Sequence, residues 1–200
     1  METKLLNADD AALNEAAELL RQGQLVAFPT ETVYGLGANA LDPRAVLSIF
    51  AAKGRPADNP LIVHVWNRAQ LADICRVTPL AEKLMDAFWP GPLTLLLQRT
   101  KAVPDCVTAG LPTVAVRMPS HPVAAEMLRR CGLPIAAPSA NLSGKPSPTT
   151  AQHVYNDMRG RVPLILDGGA CDVGLESTVL DISHERPCIL RPGGITQAML

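Results

Sequence analysis

Short apolar runs bounded by proline or glycine recur along this chain, and segments with helical spacing separate them. Leu25 to Phe28, Leu61 to Val65, Leu93 to Leu97, Thr113 to Arg117, Pro134 to Ala137, Val162 to Leu166, Ser177 to Ile182 and Cys188 to Arg191 each read as a strand. Ala12, Ala16, Leu19 and Leu20 repeat at 3.6 spacing behind Asn7 as the expected cap, with Gly23 as the stop. Asp42-Pro43 opens a second helix through about Ala52, because aspartate caps and proline suits the first helical position. Thr78-Pro79 opens a third with Leu80, Leu84 and Phe88 on one face, and a fourth runs from Pro122 to Arg130 and closes at Gly132. Such alternation predicts a mixed α/β protein (α+β in strict classification), a twisted mixed sheet flanked by helices. The 18 prolines punctuate the whole length without gathering into a linker, so residues 1–200 are expected to form one domain.

Hydrophobic residues make up 48% of the chain and charged ones 18%, enough to fill a core and the opposite of a disordered composition. The formal net charge is −1, so no general basic field holds nucleic acid, and any bound anion must meet a local cluster of cations. No apolar run approaches the ~20 residues of a membrane span. The acidic first ten residues lack the apolar core of a signal peptide. Five scattered cysteines contain no Cys-x-x-Cys, and the four histidines lack ligand spacing. These features predict a reduced, cytoplasmic chain whose side chains hold no metal.

Gly35-Leu36-Gly37-Ala38-Asn39-Ala40 matches a dinucleotide fingerprint letter by letter. The context fails, since the helix signal at Asp42-Pro43 comes only after the glycines, whereas a pyrophosphate site needs the helix to open within them. More informative is a dispersed set of polar residues on breaker-rich segments. These are Thr30-Glu31-Thr32, Lys53-Gly54-Arg55-Pro56 with Asn59, His64, Arg117, Ser139 to Ser147, Ser177-Thr178 and Arg191. Each has a plain alternative. Lys53 and Arg55 could simply complement a helix dipole, His64 could be a core histidine, and the hydroxyls and amides are ordinary turn formers. Together, Lys53, Arg55, Arg117 and Arg191 can form one cationic pocket suited to a polyphosphate.

Seven blocks carry a resemblance to the YrdC family, in the family's order over about residues 25 to 194. They are Pro29 to Gly37, Lys53-Gly54-Arg55-Pro56 with Asn59-Pro60-Leu61, Trp89 to Thr94, Ala115-Val116-Arg117, Pro138 to Gly144, Glu176 to Val179, and Arg191-Pro192-Gly193. The resemblance implies a twisted sheet with a deep basic cavity and threonylcarbamoyl-AMP synthase activity. In that reaction L-threonine, bicarbonate and ATP give threonylcarbamoyl-AMP and pyrophosphate. A partner transferase then modifies the adenosine beside the anticodon of tRNAs reading codons that start with A, and tRNA contact by this chain is not required.

Position by position, the resemblance places Thr32, His64, Arg117, Ser177 and the Ala137 backbone around L-threonine. It places Lys53, Arg55, Asn59, Thr113, Ser139, Asn141, Ser147 and Arg191 on the ATP side. Lys53 and Arg55 are expected to neutralise the phosphates beside Mg²⁺ brought in with ATP, and Arg117 to fork onto the amino-acid carboxylate. The motif forms are nearest those of longer, two-domain members, and the sequence stops soon after Gly194. A single catalytic domain is therefore expected. Two other readings use the same fold: a non-catalytic RNA-binding module, which the near-neutral charge disfavours, and a paralogue acting on another carbamoyl group.

Overall fold

The computed structural model describes residues 1–200. Its elements in chain order are β1 (Lys4–Asn7), α1 (Asp10–Arg21), β2 (Val26–Phe28), β3 (Gly35–Asn39), α2 (Pro43–Lys53), β4 (Ile62–His64), α3 (Leu71–Ile74), α4 (Pro79–Phe88), β5 (Leu93–Gln98), α5 (Asp105–Thr108), β6 (Thr113–Arg117), α6 (Pro122–Cys131), β7 (Ile135–Ala136), α7 (Ala151–Met158), β8 (Leu164–Asp167), β9 (Thr178–Asp181) and β10 (Cys188–Arg191). All ten strands join one sheet in the order β1-β8-β2-β3-β7-β4-β6-β5-β9-β10. Parallel pairs such as β4 with β6 sit among antiparallel ones such as β5 with β6, so the sheet is mixed.

Cap chemistry sets most helix starts. Asp42 accepts from Arg44 N, and Thr78 accepts from Ala81 N. The first helix corrects the sequence reading: Asp9 caps it, accepting from Ala12 N, because Asn7 is already committed to β1 opposite Asp167. In α4 the buried residues are Ala81, Leu84 and Met85, whereas Leu80 is 42% exposed. One residue turns a helix by about 100°, so Leu80 falls off the stripe it was expected to share. Helix α7 was not anticipated, although Thr150 caps it and Ala151, Val154 and Met158 bury one face.

The fingerprint-like Gly35–Asn39 segment is a strand paired with β2 and β7. Its glycines leave room. A Cβ on Gly37 would lie 2.8 Å from Phe28 Cε1 and 2.9 Å from Ile135 Cγ2, so the Phe28 ring fills the space that side chains there would need. That ring meets His64 edge-on, with centroids 6.2 Å apart.

Side chains alternate across the sheet and divide its two faces between different tasks. On one face Ala27, Leu36, Val63, Val114, Val116 and Ile165 join the main core with residues of α2, α4 and α7. On the other, Val26, Phe28, Ile135, Leu164 and Leu166 pack with residues of α1 and α6. Toward β4, β6, β5 and β9 this second face opens into a cavity.

Candidate active site

The cavity encloses about 390 Å³, and its floor is the sheet itself. Thr113, Ala115 and Arg117 of β6 line it, while the intervening Val114 and Val116 enter the core. Ile62 and His64 of β4 lie in register with Ala115 and Arg117, and Leu96 of β5 is opposite Ala115. Loops raise the walls: Thr30 and Thr32 after β2, Arg55 and Asn59 after α2, Ala137 to Ser139 after β7, and Glu176-Ser177 before β9. Leu190 and Arg191 of β10 complete them.

Ten of the thirteen candidate residues line this cavity: Thr32, Arg55, Asn59, His64, Thr113, Arg117, Ala137, Ser139, Ser177 and Arg191. His64, Thr113 and Arg117 belong to the floor, on the strands expected there, and the others but Arg191 come from loops. Lys53, Asn141 and Ser147 brace the wall instead of lining the cavity. Buried Lys53 donates through Nζ to the carbonyls of Ser139 and Asn141, the latter at 2.7 Å. Asn141 Nδ2 donates to the carbonyls of Leu142 and Lys145, closing its own loop. Ser147 Oγ donates to Glu176 Oε1 at 2.9 Å and ties two wall loops together.

Arg117 is buried and held on several sides. Nη1 donates to Thr32 Oγ1 at 3.0 Å, Nε donates to Gly91 O at 3.3 Å, and Nη2 lies 2.6 Å from Glu31 Oε1. The last contact is close but poorly directed, so neither Nη2 nor Oε1 gains an aligned hydrogen bond from it. Glu31 Oε2 accepts from the Ser120 N–H at 3.2 Å. Burial draws the Arg117 pKa below the ordinary arginine value, and the Glu31 charge opposes that shift.

His64 is 3% exposed and its Nδ1 has no partner. Burial, and after it the Arg117 charge, pull its pKa down to about 3, so it faces the cavity as a neutral ring. An unfolded chain protonates this histidine near pH 6.5, whereas the folded one does so only near pH 3. Stability is therefore fully present above pH 6.5 and declines as pH falls through that interval, because the unfolded state binds the extra proton. Melting temperatures measured from pH 7 to pH 4 should fall less steeply in His64→Gln than in the parent. Equal slopes would contradict the assignment.

On the opposite wall Arg191 Nη1 pairs with Glu176 Oε2, while Nε and Nη2 each donate at 3.0 Å to the backbone oxygen and Oγ of Ser177. Ser177 Oγ also lies 2.7 Å from Thr94 Oγ1. Gly193 makes this approach possible: a Cβ there would stand 2.3 Å from Glu176 O and 2.5 Å from Thr178 N. Arg55 lies 5.9 Å from the centre of the Phe50 ring and has no carboxylate partner. Lys53 behind it is held at a pKa of about 8, by burial first and by Arg55 second. Two of the three arginines lining the cavity thus have a carboxylate partner, and Arg55 has none.

Sequence reading singled out Thr30 and Glu31 among the polar residues, and Thr94 and Glu176 within motif blocks, without giving any of them a role, and it passed over the apolar lining of Leu96, Leu111 and Leu190. The alternation Thr113, Ala115, Arg117 between two valines was a usable signal for the floor. Nothing in the sequence distinguishes Leu111 or Leu190 from surface leucines.

Comparison with known proteins identifies the family and its fold. The Sua5/YciO/YrdC family model, described as telomere recombination, matches residues 18–193. The threonylcarbamoyl-AMP synthase of Bacillus subtilis is 56% identical over 200 residues, covering 99% of this chain and 58% of that protein. A protein of the same name from Pyrococcus abyssi is 57% identical over 181 residues, covering 90% and 53%. A solved structure of P. abyssi Sua5 complexed with L-threonine superposes with a TM-score of 0.91 at 53% identity, covering 96% of this chain and 57% of that one. The chain spans a little over half the length of these relatives. With the family model matching most of its length and two relatives well over half identical, the chain belongs to the Sua5/YciO/YrdC family.

Proposed function

We propose that this cavity joins L-threonine, bicarbonate and ATP into L-threonylcarbamoyl-AMP, releasing pyrophosphate and water. The observation that carries the reading is that ten of the expected residues line one cavity, in a fold whose relatives bear the name of that enzyme. The solved complex of P. abyssi Sua5 with L-threonine supports that amino acid as the ligand.

The chemistry needs no nucleophilic side chain. The threonine amine attacks the carbon of bicarbonate or CO₂, and loss of water from bicarbonate leaves a carbamate. A carbamate oxygen then attacks the α-phosphorus of ATP, and the bond to the β-phosphate oxygen breaks. Alignment and stabilisation of charge on the phosphate oxygens are the protein's contributions. Arg117, which lines the cavity floor, would take the amino-acid carboxylate, its planar donors matching two oxygens. Arg55 would meet the phosphates, and Lys53 would fix the wall beside them through the two carbonyls it holds. Mg²⁺, in this reading, would be carried in on the nucleotide's phosphates, which bind that cation together with water.

In this reading one domain, residues 1–200, carries the reaction, and the adenylate passes to a transferase that acts on tRNA. The reaction is assigned to the cytoplasm as part of this reading; separately, no helix is long and apolar enough to cross a membrane. The purified chain should release pyrophosphate from ATP only when threonine and bicarbonate are both supplied. Pyrophosphate formed without threonine, or none formed with all three, would reject the reading.

A further inference from the structure

The hydrogen bonds around Thr30 fix where its one hydroxyl proton goes. Thr30 Oγ1 lies 2.6 Å from the carbonyl oxygen of Val33, a group that can only accept, so Thr30 donates there. The backbone N–H groups of the successive residues Thr32 and Val33 converge on the same oxygen, each at a long 3.2 Å, as a three-centre contact on one of its two lone pairs, which leaves the other for a further donor. The remaining contact, 2.9 Å to Thr32 Oγ1, is then a hydrogen bond only if Thr32 is the donor. Thr32 in turn accepts from Arg117 Nη1. Its proton is committed, one lone pair is taken, and the other is left toward the cavity that both threonines line.

We propose that Thr30 is a positioning residue that sets the proton order of Thr32, so that Thr32 meets the bound amino acid as an acceptor only. The neighbouring wall has the same polarity. The Ala137 N–H is used by Ile62 O at 2.9 Å, and no hydrogen bond within the protein uses the Ala137 carbonyl. Two acceptors on one side of the cavity match the donors of an amino acid, its ammonium or its side-chain hydroxyl, and repel its carboxylate. The carboxylate is thereby directed to the Arg117 guanidinium. Arg117 alone would attract the carboxylate group from several directions; the ordered hydroxyls add the constraint on which end of the ligand points where.

This inference rests on the threonine reading and deepens it, so the test begins with calorimetric binding of L-threonine to the parent chain. Thr30→Val keeps the shape but cannot accept the Thr32 proton, which is then free to turn into the cavity against the ligand's donor. Threonine affinity should fall about tenfold, the loss expected when a hydrogen bond to a charged group is spoiled, while Thr30→Ser should restore most of it. In a Thr32→Val background the same Thr30→Val change should weaken binding no further, since the two residues act as one unit. A purely structural role for Thr30 would weaken binding equally in both backgrounds and would overturn the proposal. So would parental affinity in folded Thr30→Val. If Thr30→Val does not fold, Thr30→Cys, of similar size and a weak acceptor, takes its place in both backgrounds, and the same outcomes support or overturn the proposal. A parent chain that binds no threonine would reject the threonine reading, and this proposal with it.

Discussion

Glu31→Ala is expected to lower folding stability by about 3–5 kcal/mol, the range for leaving one member of a buried ion pair alone. The Glu31 and Arg117 side chains are 8% and 4% exposed, so water cannot replace the lost carboxylate. Removing Glu31 also leaves the Ser120 N–H without its acceptor. For a chain of this size the melting temperature should drop by roughly 6–20 °C, at about 2–4 °C per kcal/mol. Replacing both partners, Glu31→Leu with Arg117→Met, removes the isolated charge and should recover much of that loss. The double variant should still fail to bind threonine, because the guanidinium is gone. A single variant that melts with the parent would show that the pair does not anchor this wall.

Arg55→Ala is expected to act in the opposite way, on activity and not on stability. Arg55 is partly exposed and paired with no carboxylate, so its removal should change stability by no more than about 0.5 kcal/mol, as at an ordinary surface site. Its charge is the one cavity cation not already matched by an acid. Losing a preorganised group aimed at developing phosphate charge should lower kcat for threonine-dependent pyrophosphate release by about 10²–10³-fold. Steady-state assays at saturating ATP separate this from weaker nucleotide binding. Turnover within a factor of about three of the parent would remove Arg55 from the phosphate side, since that is far below the effect of a lost transition-state donor.

The frame of the fold was legible because its signals are local. Asp42-Pro43 and Thr78-Pro79 announce helix starts through cap chemistry that needs no tertiary partner, and both are observed. The Gly35–Asn39 strand was not legible, because glycine has poor strand propensity and is there for the Phe28 ring, a contact made across strands. Asn7 misled for a similar reason: its capping potential is real, but pairing of β1 with the distant β8 uses the residue first. The site divides along the same line. Arg117 and His64 stood out by residue type, but their shared face follows from the register of β4 on β6, which no single segment encodes. Glu31 stood among the polar residues singled out and still received no role, since a carboxylate becomes informative only once burial leaves it facing an arginine. Lys53 shows the reverse: its charge suggested direct contact with phosphate, and its position behind the wall came only with the loop it holds.

The central claim is that one hollow on the sheet face brings an amino acid and a nucleotide together for adenylation. Mass spectrometry of the product tests it most directly, with the purified chain given ATP and bicarbonate and then threonine or valine. The expected product is an adenylate of the mass of AMP joined to a threonylcarbamoyl group, formed only with threonine, bicarbonate and ATP together. Valine should give scarcely any, since a site that hydrogen-bonds a hydroxyl strongly rejects analogues without it. ATP consumption that yields no such adenylate, or equal yields from valine and threonine, would contradict the claim.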